Sequence, residues 1–288
     1  MIEALVINYN SGDIILQCLE SLRRFDIPHL VIDNNSSDCS VQSIRTQLPE
    51  TRIIQNSENI GFARAVNQGV NETEGPYILV INPDARLITN VDPIIEFLTE
   101  RKRAGVIGGL VLNPDHTRQP SCRGIPTLVN FPFGRTSTLT KIFPRNPLTR
   151  SMLLSEINYR IPQKIPAVCG SFMFIRREAF NDIGGMDGRF FLYVEDVDLC
   201  KRMWDKGWEV WFHPGAGCIH YYGESHRNNI VRSRIHHLRS MLYFLKKHYK
   251  PGIFIYPLLQ VGAGLSAIYF LSWFRLKRRL RWQSSFSS

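Results

Sequence analysis

Between Ser225 and Ser288 the chain has no aspartate and no glutamate. The same stretch holds 12 of the 35 lysines and arginines, which leaves 23 basic against 25 acidic residues, a net of −2, in residues 1–224. The overall charge of +10 is therefore a property of the tail, and such asymmetry suggests contact with an anionic membrane or a nucleic acid. No groove-reading motif accompanies the basic run, so no nucleic-acid partner is expected. The six cysteines (18, 39, 122, 169, 200 and 218) form no CxxC pair. They suit reduced thiols of a cytoplasmic protein better than a disulfide framework or a zinc site. A GxGxxG motif is absent, so a dinucleotide fingerprint is not supported. The turn after the first strand pattern, "NYNSGD", carries no basic residue. That removes the Gly-rich, Lys- or Arg-bearing phosphate loop expected of a nucleotidyltransferase. There is no internal repeat and no low-complexity stretch. The opening "MIEALVINYN" has an acid at Glu3 and a strand pattern from Ala4, so no signal peptide is expected.

What is present is ordinary globular material: 288 residues, 44% apolar and 21% charged. The first hundred residues alternate strand and helix patterns. "ALVINY", "HLVIDNNS", "TRIIQN" and "YILVINPD" read as strands. "IILQCLESLRRF", "SVQSIRTQL" and "ARAVNQGVNET" read as the helices between them. Repeated βα units predict a doubly wound, mainly parallel sheet. Residues 113–165, with seven prolines, predict a long, partly irregular insertion. Regular structure returns with "AVCGSFMFIRREAF" as strand and short helix, "VEDVDLCKRMWDKG" as a helix ended by Gly207, and "WEVWFHP" as a strand.

Several polar residues stand where apolar strand patterns end. Asp33 closes "HLVID", and Asn82, Pro83 and Asp84 close "YILVI". Each reads as a turn or helix cap on one hand. On the other, open α/β sheets keep their ligand sites at these strand ends. In "NIGFARAVNQG", Gly61 precedes a helix start, and Arg64 and Asn67 share a helical face near its N-terminus, where anions bind. Glu195, Asp196 and Asp198 follow the aromatic run "FFLY", where desolvation raises a carboxyl pKa toward that of a useful base. His220 follows a strand pattern that returns toward the same region.

Taken in order, "VINYNS", "VIDNNSSD", "NIGFARAVNQG", "INPDA", "CGSFMFIRREAF", "GGMDGRFFLYVEDVDLCKR" and the histidine of "IHYYGES" resemble the inverting glycosyltransferases of family 2, which have the GT-A fold. The resemblance spans roughly residues 4–225, and "NxGFxxxxNxG" with "NPD" looks like the branch of bacterial rhamnosyltransferases. It implies a nucleotide-sugar glycosyltransferase domain over residues 1–225 and a C-terminal helical, membrane-associating extension over 226–288. It implies a donor site of Asn8, Asp33, Asn59, Gly61, Arg64, Asn67 and Asn82, with Asp33 on the pyrimidine ring. Asp84 matches the last acid of the family's DxD metal motif, whose first position is Asn82 here. His220 matches a histidine of the metal shell, and the implied ion is Mg²⁺ or Mn²⁺. Asp196 matches the catalytic base, with Glu195 beside it. The donor implied is a dTDP or UDP sugar, rhamnose in particular, and the acceptor a lipid-linked glycan at the cytoplasmic face of the bacterial inner membrane. Asn82 at the DxD position also admits a non-catalytic, nucleotide-sugar-binding scaffold of the same fold.

The tail adds residues 251–274, which carry no charge and one Gln, flanked by basic runs. The length suits a bilayer span, a buried hairpin or an anchor lying on the surface. The alternation of aromatic, basic and apolar residues at its edges favours the anchor.

Overall fold

A computed structural model of the chain describes residues 2–134, 137–154, 156–221, 230–252 and 254–264. Part of "IHYYGES" and the tail after residue 264, including all of its last basic run, lie outside these.

The strands and helices run β1 (Ile2–Asn8), α1 (Ile14–Arg24), β2 (His29–Asp33), α2 (Ser40–Gln47), β3 (Arg52–Gln55), α3 (Phe62–Asn71), β4 (Tyr77–Ile81), β5 (Ala85–Leu87), α4 (Asp92–Glu100) and β6 (Ala104–Leu112). The insertion contributes β7 (Cys122–Arg123), a 3-10 turn (Phe131–Phe133), α5 (Thr138–Ile142), α6 (Pro147–Leu153) and β8 (Gln163–Lys164). Then come β9 (Ala167–Val168), β10 (Phe172–Arg176), α7 (Arg177–Asp182), α8 (Glu195–Asp205), β11 (Glu209–His220) and α9 (Ile230–Tyr249). The main sheet has the order β3-β2-β1-β4-β10-β6-β11-β5, with β8 beside β11.

Period-two alternation sorts each strand between two cores. Leu5, Ile7, Leu30, Ile32, Ile78 and Val80 face α3, α7 and α8. Ala4, Val6, Val31, Leu79 and Ile81 face α1, α2 and α4. The expectation of a mainly parallel sheet holds for β1 to β4 and for β6 with β11, and needs correction at the remaining pairs. β10 lies antiparallel between β4 and β6, and β5 and β8 lie antiparallel to β11. Pairing direction depends on where a chain re-enters the sheet after a long insertion, which hydrophobic periodicity does not record. β11 also runs past Pro214 to His220, its register against β6 shifted between Phe212 and Gly217. That irregularity carries the strand on to the site end of the sheet.

β1, β2 and β3 advance to one side of the sheet and β4 to the other. The carboxyl ends of β1 and β4 thus flank the crevice where ligands of doubly wound folds bind.

No described helix is long and apolar enough to cross a membrane. The first part of the C-terminal extension is packed against the lobe. Phe244 and Leu245 of α9 are fully buried, and Ser240 Oγ donates to Leu192 O at 2.9 Å. Residues 255–264 form a further helical stretch whose Ile255, Leu258 and Val261 are exposed. A cut at residue 226 removes α9 and should lower the thermal transition by ten degrees or more. A cut at 253 should leave it within a few degrees. Scanning fluorimetry of the two truncations separates these outcomes, and the shorter deletion is the one that tests the tail on membranes.

Candidate active site

The floor of the crevice is polar and tightly bonded. Asn8, fully buried at the end of β1, donates to Asp33 Oδ1 at 2.8 Å and to Ser40 Oγ at 2.9 Å. Asp33 also accepts from Ser36 N at 3.1 Å and Ser36 Oγ at 2.6 Å. Both Asp33 oxygens thus have protein donors, and this carboxylate, itself fully buried, braces the loop after β2. A pyrimidine ring N–H reaching it would have to share these oxygens with the protein donors.

Asn59 Oδ1 accepts from Gly61 N at 3.0 Å and shapes the entry to α3. Gly61 has φ +84°, and a Cβ there would meet Phe191 O at 2.7 Å. Phe62 N donates to the same carbonyl at 2.9 Å. Only glycine allows this approach, so Gly61→Ala should cost more than about 1 kcal/mol of stability, readable in urea unfolding. Arg64 and Asn67 continue the contact. Arg64 Nε donates to Gly188 O at 3.0 Å, and Asn67 exchanges two bonds with the Met186 main chain at 2.8 and 2.9 Å. Arg64 and Asn67 thus hold the 184–194 loop, a positioning role beside the donor-site role that the resemblance implies. That loop delivers the acidic cluster through two successive left-handed residues, Tyr193 (φ +68°) and Val194 (φ +69°). For a β-branched residue this is strained backbone of the kind concentrated at functional sites.

At the end of β4, Asn82, Pro83 and Asp84 make a turn closed by Ala85 N donating to Asn82 O at 3.0 Å. β5 pairs with the end of β11, setting Ala85 opposite His220. Asp84 Oδ1 and His220 Nε2 thereby meet at 3.1 Å, both residues buried. Asn82 Nδ2 lies 3.3 Å from the same nitrogen. His220 Nδ1 faces Gln119 Oε1 at 2.7 Å, and Gln119 Nε2 donates to Asn113 Oδ1 at 2.9 Å. Gln119 thus orients the ring so that Nε2 faces Asp84. Two ligand atoms bound cis on an octahedral ion of Mg²⁺ size stand about 3 Å apart. The pair therefore fits one divalent cation, with Asn82 Oδ1 joining if its amide turns over and diphosphate oxygens and waters completing the shell. No group of three or more His, Cys, Asp or Glu suited to a metal occurs among the described residues. The protein's share of such a site is small, as is usual where a substrate phosphate supplies ligands.

The acidic cluster divides into three roles. Asp196 lies in the first turn of α8: its Oδ1 accepts from Val197 N at 2.8 Å and its Oδ2 from Gly170 N at 2.9 Å. Asp198, fully buried, accepts from Arg202 at 2.7 Å, Lys247 at 2.6 Å and His248 at 2.7 Å. Burial alone would raise its pKa, but the His248 bond and the charges of Arg202 and Lys247 outweigh that and hold it below the ordinary value. Its structural bonding excludes Asp198 as a base. Glu195 is buried, and its Oε2 has no hydrogen-bond partner among the described residues. Burial first, then the Asp196 charge, push its pKa well above the ordinary value, against a smaller opposing effect of Arg123. Burial pushes His237 of α9 down to about 4, with Arg234 and Arg123 adding to the effect, so it is neutral near pH 7.

The cation pair and the acid pair stand on adjacent backbone. Asn82 N donates to Ser171 O at 3.0 Å, and the preceding residue, Gly170, donates to Asp196. Gln119, Gly170, Lys247 and His248 were not legible as site residues. Gln119 sits outside any motif, Gly170 lies in "CGSFMFIRREAF" without a polar side chain to draw attention, and Lys247 and His248 read as ordinary tail charge.

The glycosyl transferase family 2 model matches residues 4–184, and the glycosyl transferase family group 2 model matches residues 134–286. The N-acetylglucosaminyl-diphospho-decaprenol L-rhamnosyltransferase of Mycobacterium tuberculosis is 30% identical over 234 residues, covering 76% of this chain and 75% of that protein. Rhamnosyltransferase WbbL of Escherichia coli K12 is 24% identical over 86% of this chain and 93% of that protein. Among solved structures, a mannosyltransferase from Pyrobaculum calidifontis with GDP-Man and Mn²⁺ superposes with a TM-score of 0.58 at 16% identity, covering 91% of this chain and 68% of that one. GalNAc-T7 with UDP, GalNAc and Mn²⁺ superposes at 0.57 and 14% identity over 77% of this chain and 44% of that one. These two share the fold, and the sequence relatives fix the lineage: the chain belongs to glycosyl transferase family 2, as a rhamnosyltransferase-like glycosyltransferase.

Proposed function

We propose that the protein is an inverting, metal-dependent rhamnosyltransferase that moves rhamnose from a nucleoside diphosphate, dTDP in particular, to a lipid-linked glycan in cell-surface polysaccharide synthesis. The observation that supports this reading is that the Gly170–Ser171 backbone joins the two clusters, Ser171 O accepting from Asn82 N beside Asp84–His220 and Gly170 N donating to Asp196 beside Glu195. One pair suits the diphosphate and the other the attacking hydroxyl. Asn8, Asp33 and Asn59 shape the donor floor, and Gly61, Arg64 and Asn67 hold the loop that carries the acids. The lipid-linked acceptor is supported by the decaprenyl-diphosphate substrate in the name of the mycobacterial relative. Together with the basic tail, it favours a position on the cytoplasmic face of the inner membrane.

In the reaction the acceptor hydroxyl oxygen bonds to the anomeric carbon from the face opposite the leaving group. The bond from that carbon to the diphosphate oxygen breaks with both electrons, and the hydroxyl proton passes to a carboxylate. Glu195 Oε2 suits this role best: desolvation raises the proton affinity of the carboxyl, and no donor among the described residues bonds to Oε2. Asp196 holds the helix start and Gly170 in place, and its charge raises the Glu195 pKa further. Asp84 and His220 would hold a Mg²⁺ or Mn²⁺ ion that offsets the charge developing on the diphosphate.

The test is donor hydrolysis and transfer across a panel of nucleotide sugars with Mn²⁺ or Mg²⁺. Turnover of dTDP-rhamnose above the other donors is expected. Tight nucleotide binding with no turnover of any donor, given an isoprenyl-diphosphate acceptor, would replace the enzyme with the scaffold reading.

A further inference from the structure

The insertion is the part of the molecule that the catalytic reading leaves unused. From His116 to Ser155 it contains six arginines or lysines and no aspartate or glutamate. α5 carries Leu139 and Ile142 three residues apart, and Phe143 follows directly. These positions share one helical face. That face is exposed: Leu139 by 40%, Ile142 by 60% and Phe143 by 55%. On α1, by contrast, the same spacing buries Ile15, Cys18 and Leu19. Lys141 and Arg145, on either side of Ile142 and Phe143, are exposed and have no ion-pair partner among the described residues. The other basic residues of the stretch are partly spoken for. Arg150 pairs with Glu156, Arg118 lies over the Tyr159 ring, and Arg123 donates to Cys169 Sγ at 3.2 Å. Both α5 and α6 pack on the 3-10 turn, so the apolar face is borne by a small folded unit.

We propose that this face of α5, with Lys141 and Arg145, docks on an anionic lipid bilayer, as a contact separate from the tail. The charge decides the occupant. An apolar patch rimmed only by cations, in a stretch free of acids, matches lipid headgroups above acyl chains. The insertion is also rooted at the site. Arg123 of β7 acts on Glu195, and β7 pairs with β9, two residues before Gly170. Docking through α5 brings the base toward the surface from which a lipid-linked acceptor presents its diphosphate. This consequence, though not the docking itself, rests on the acceptor proposed above.

The experiment uses the full chain and vesicles of phosphatidylglycerol with phosphatidylcholine, some with brominated acyl chains. Phe143→Trp should show bromine quenching beyond that of the parent protein. Ile142→Asp with Phe143→Asp should weaken vesicle affinity about tenfold or more. Lys141→Glu with Arg145→Glu should weaken it on phosphatidylglycerol and leave neutral vesicles unchanged. Quenching of Phe143→Trp no greater than the parent overturns the proposal even if the tail still holds the chain to lipid. So does unchanged affinity in both double variants. Hydrolysis of nucleotide sugar in solution should be equal in the parent and the Asp double variant. A parent that hydrolyses none counts against the proposed function and leaves the vesicle result standing.

Discussion

Glu195→Gln should lower transfer by roughly 10²–10⁴-fold while nucleotide affinity stays within a few-fold of the parent. The glutamine keeps shape and volume but cannot take the acceptor proton. The same substitution should stabilise the fold near neutral pH. The Glu195 pKa is raised by burial and by Asp196. A raised carboxyl favours the fold while it is protonated, so stability is full below the unfolded value of about 4.3 and is lost as pH rises through the folded value. Glutamine removes that loss, and the thermal transition should rise by a few degrees at pH 7 and not at pH 4. The pH–rate profile of the parent should fall on the acid side at a pH above the ordinary carboxylate range, because the base must be ionised to act. Asp196→Asn separates the two residues. An asparagine oxygen satisfies one of the Val197 and Gly170 amides and turns an NH₂ toward the other. Both turnover and melting temperature should therefore drop. A slow but more stable Asp196 variant beside a fast Glu195 variant would return the base to Asp196.

Asp84→Ala should abolish the dependence of nucleotide binding on Mn²⁺ and weaken binding in its presence by 10²-fold or more, to the level that the parent shows in EDTA. Asp84 Oδ1 and His220 Nε2 are the proposed ligand atoms that meet most closely among the described residues, so losing the charged one should remove most of the protein's share. His220→Ala should give a smaller loss of the same kind. Gln119→Leu touches neither ion nor nucleotide, yet it frees the His220 ring, and a loss of about 10–100-fold in Mn²⁺ affinity is expected. Titration calorimetry of dTDP with and without Mn²⁺ measures all three. Equal nucleotide affinity in EDTA and Mn²⁺ for the parent would remove the ion from the binding step, and an effect of Gln119→Leu without metal would make it a folding residue only.

Much of this protein was determined by its sequence alone. Apolar runs of period two and helices of period 3.6 set β1 to β4 and α1 to α3, because burying one face of each element is a local demand on residue spacing. Strand ends singled out Asp33 and Asp84, the aromatic run before it singled out the Glu195–Asp196 cluster, and the ordered motifs pointed to the family. What only the tertiary structure decided is which group each polar side chain meets. Arg64 and Asn67 had a helix N-terminus and charge in their favour, yet their bonds run to the main chain at Gly188 and Met186. Glu195, Asp196 and Asp198 look alike on paper. Amides of Gly170 and Val197 claim Asp196, and α9, 49 and 50 residues away at Lys247 and His248, claims Asp198. Glu195 is left desolvated. The physical reason is that a strand or helix follows from neighbours in the chain, whereas a carboxyl's proton affinity follows from the donors, charges and water around it. Those are supplied by residues far off in sequence, through strand register and helix docking.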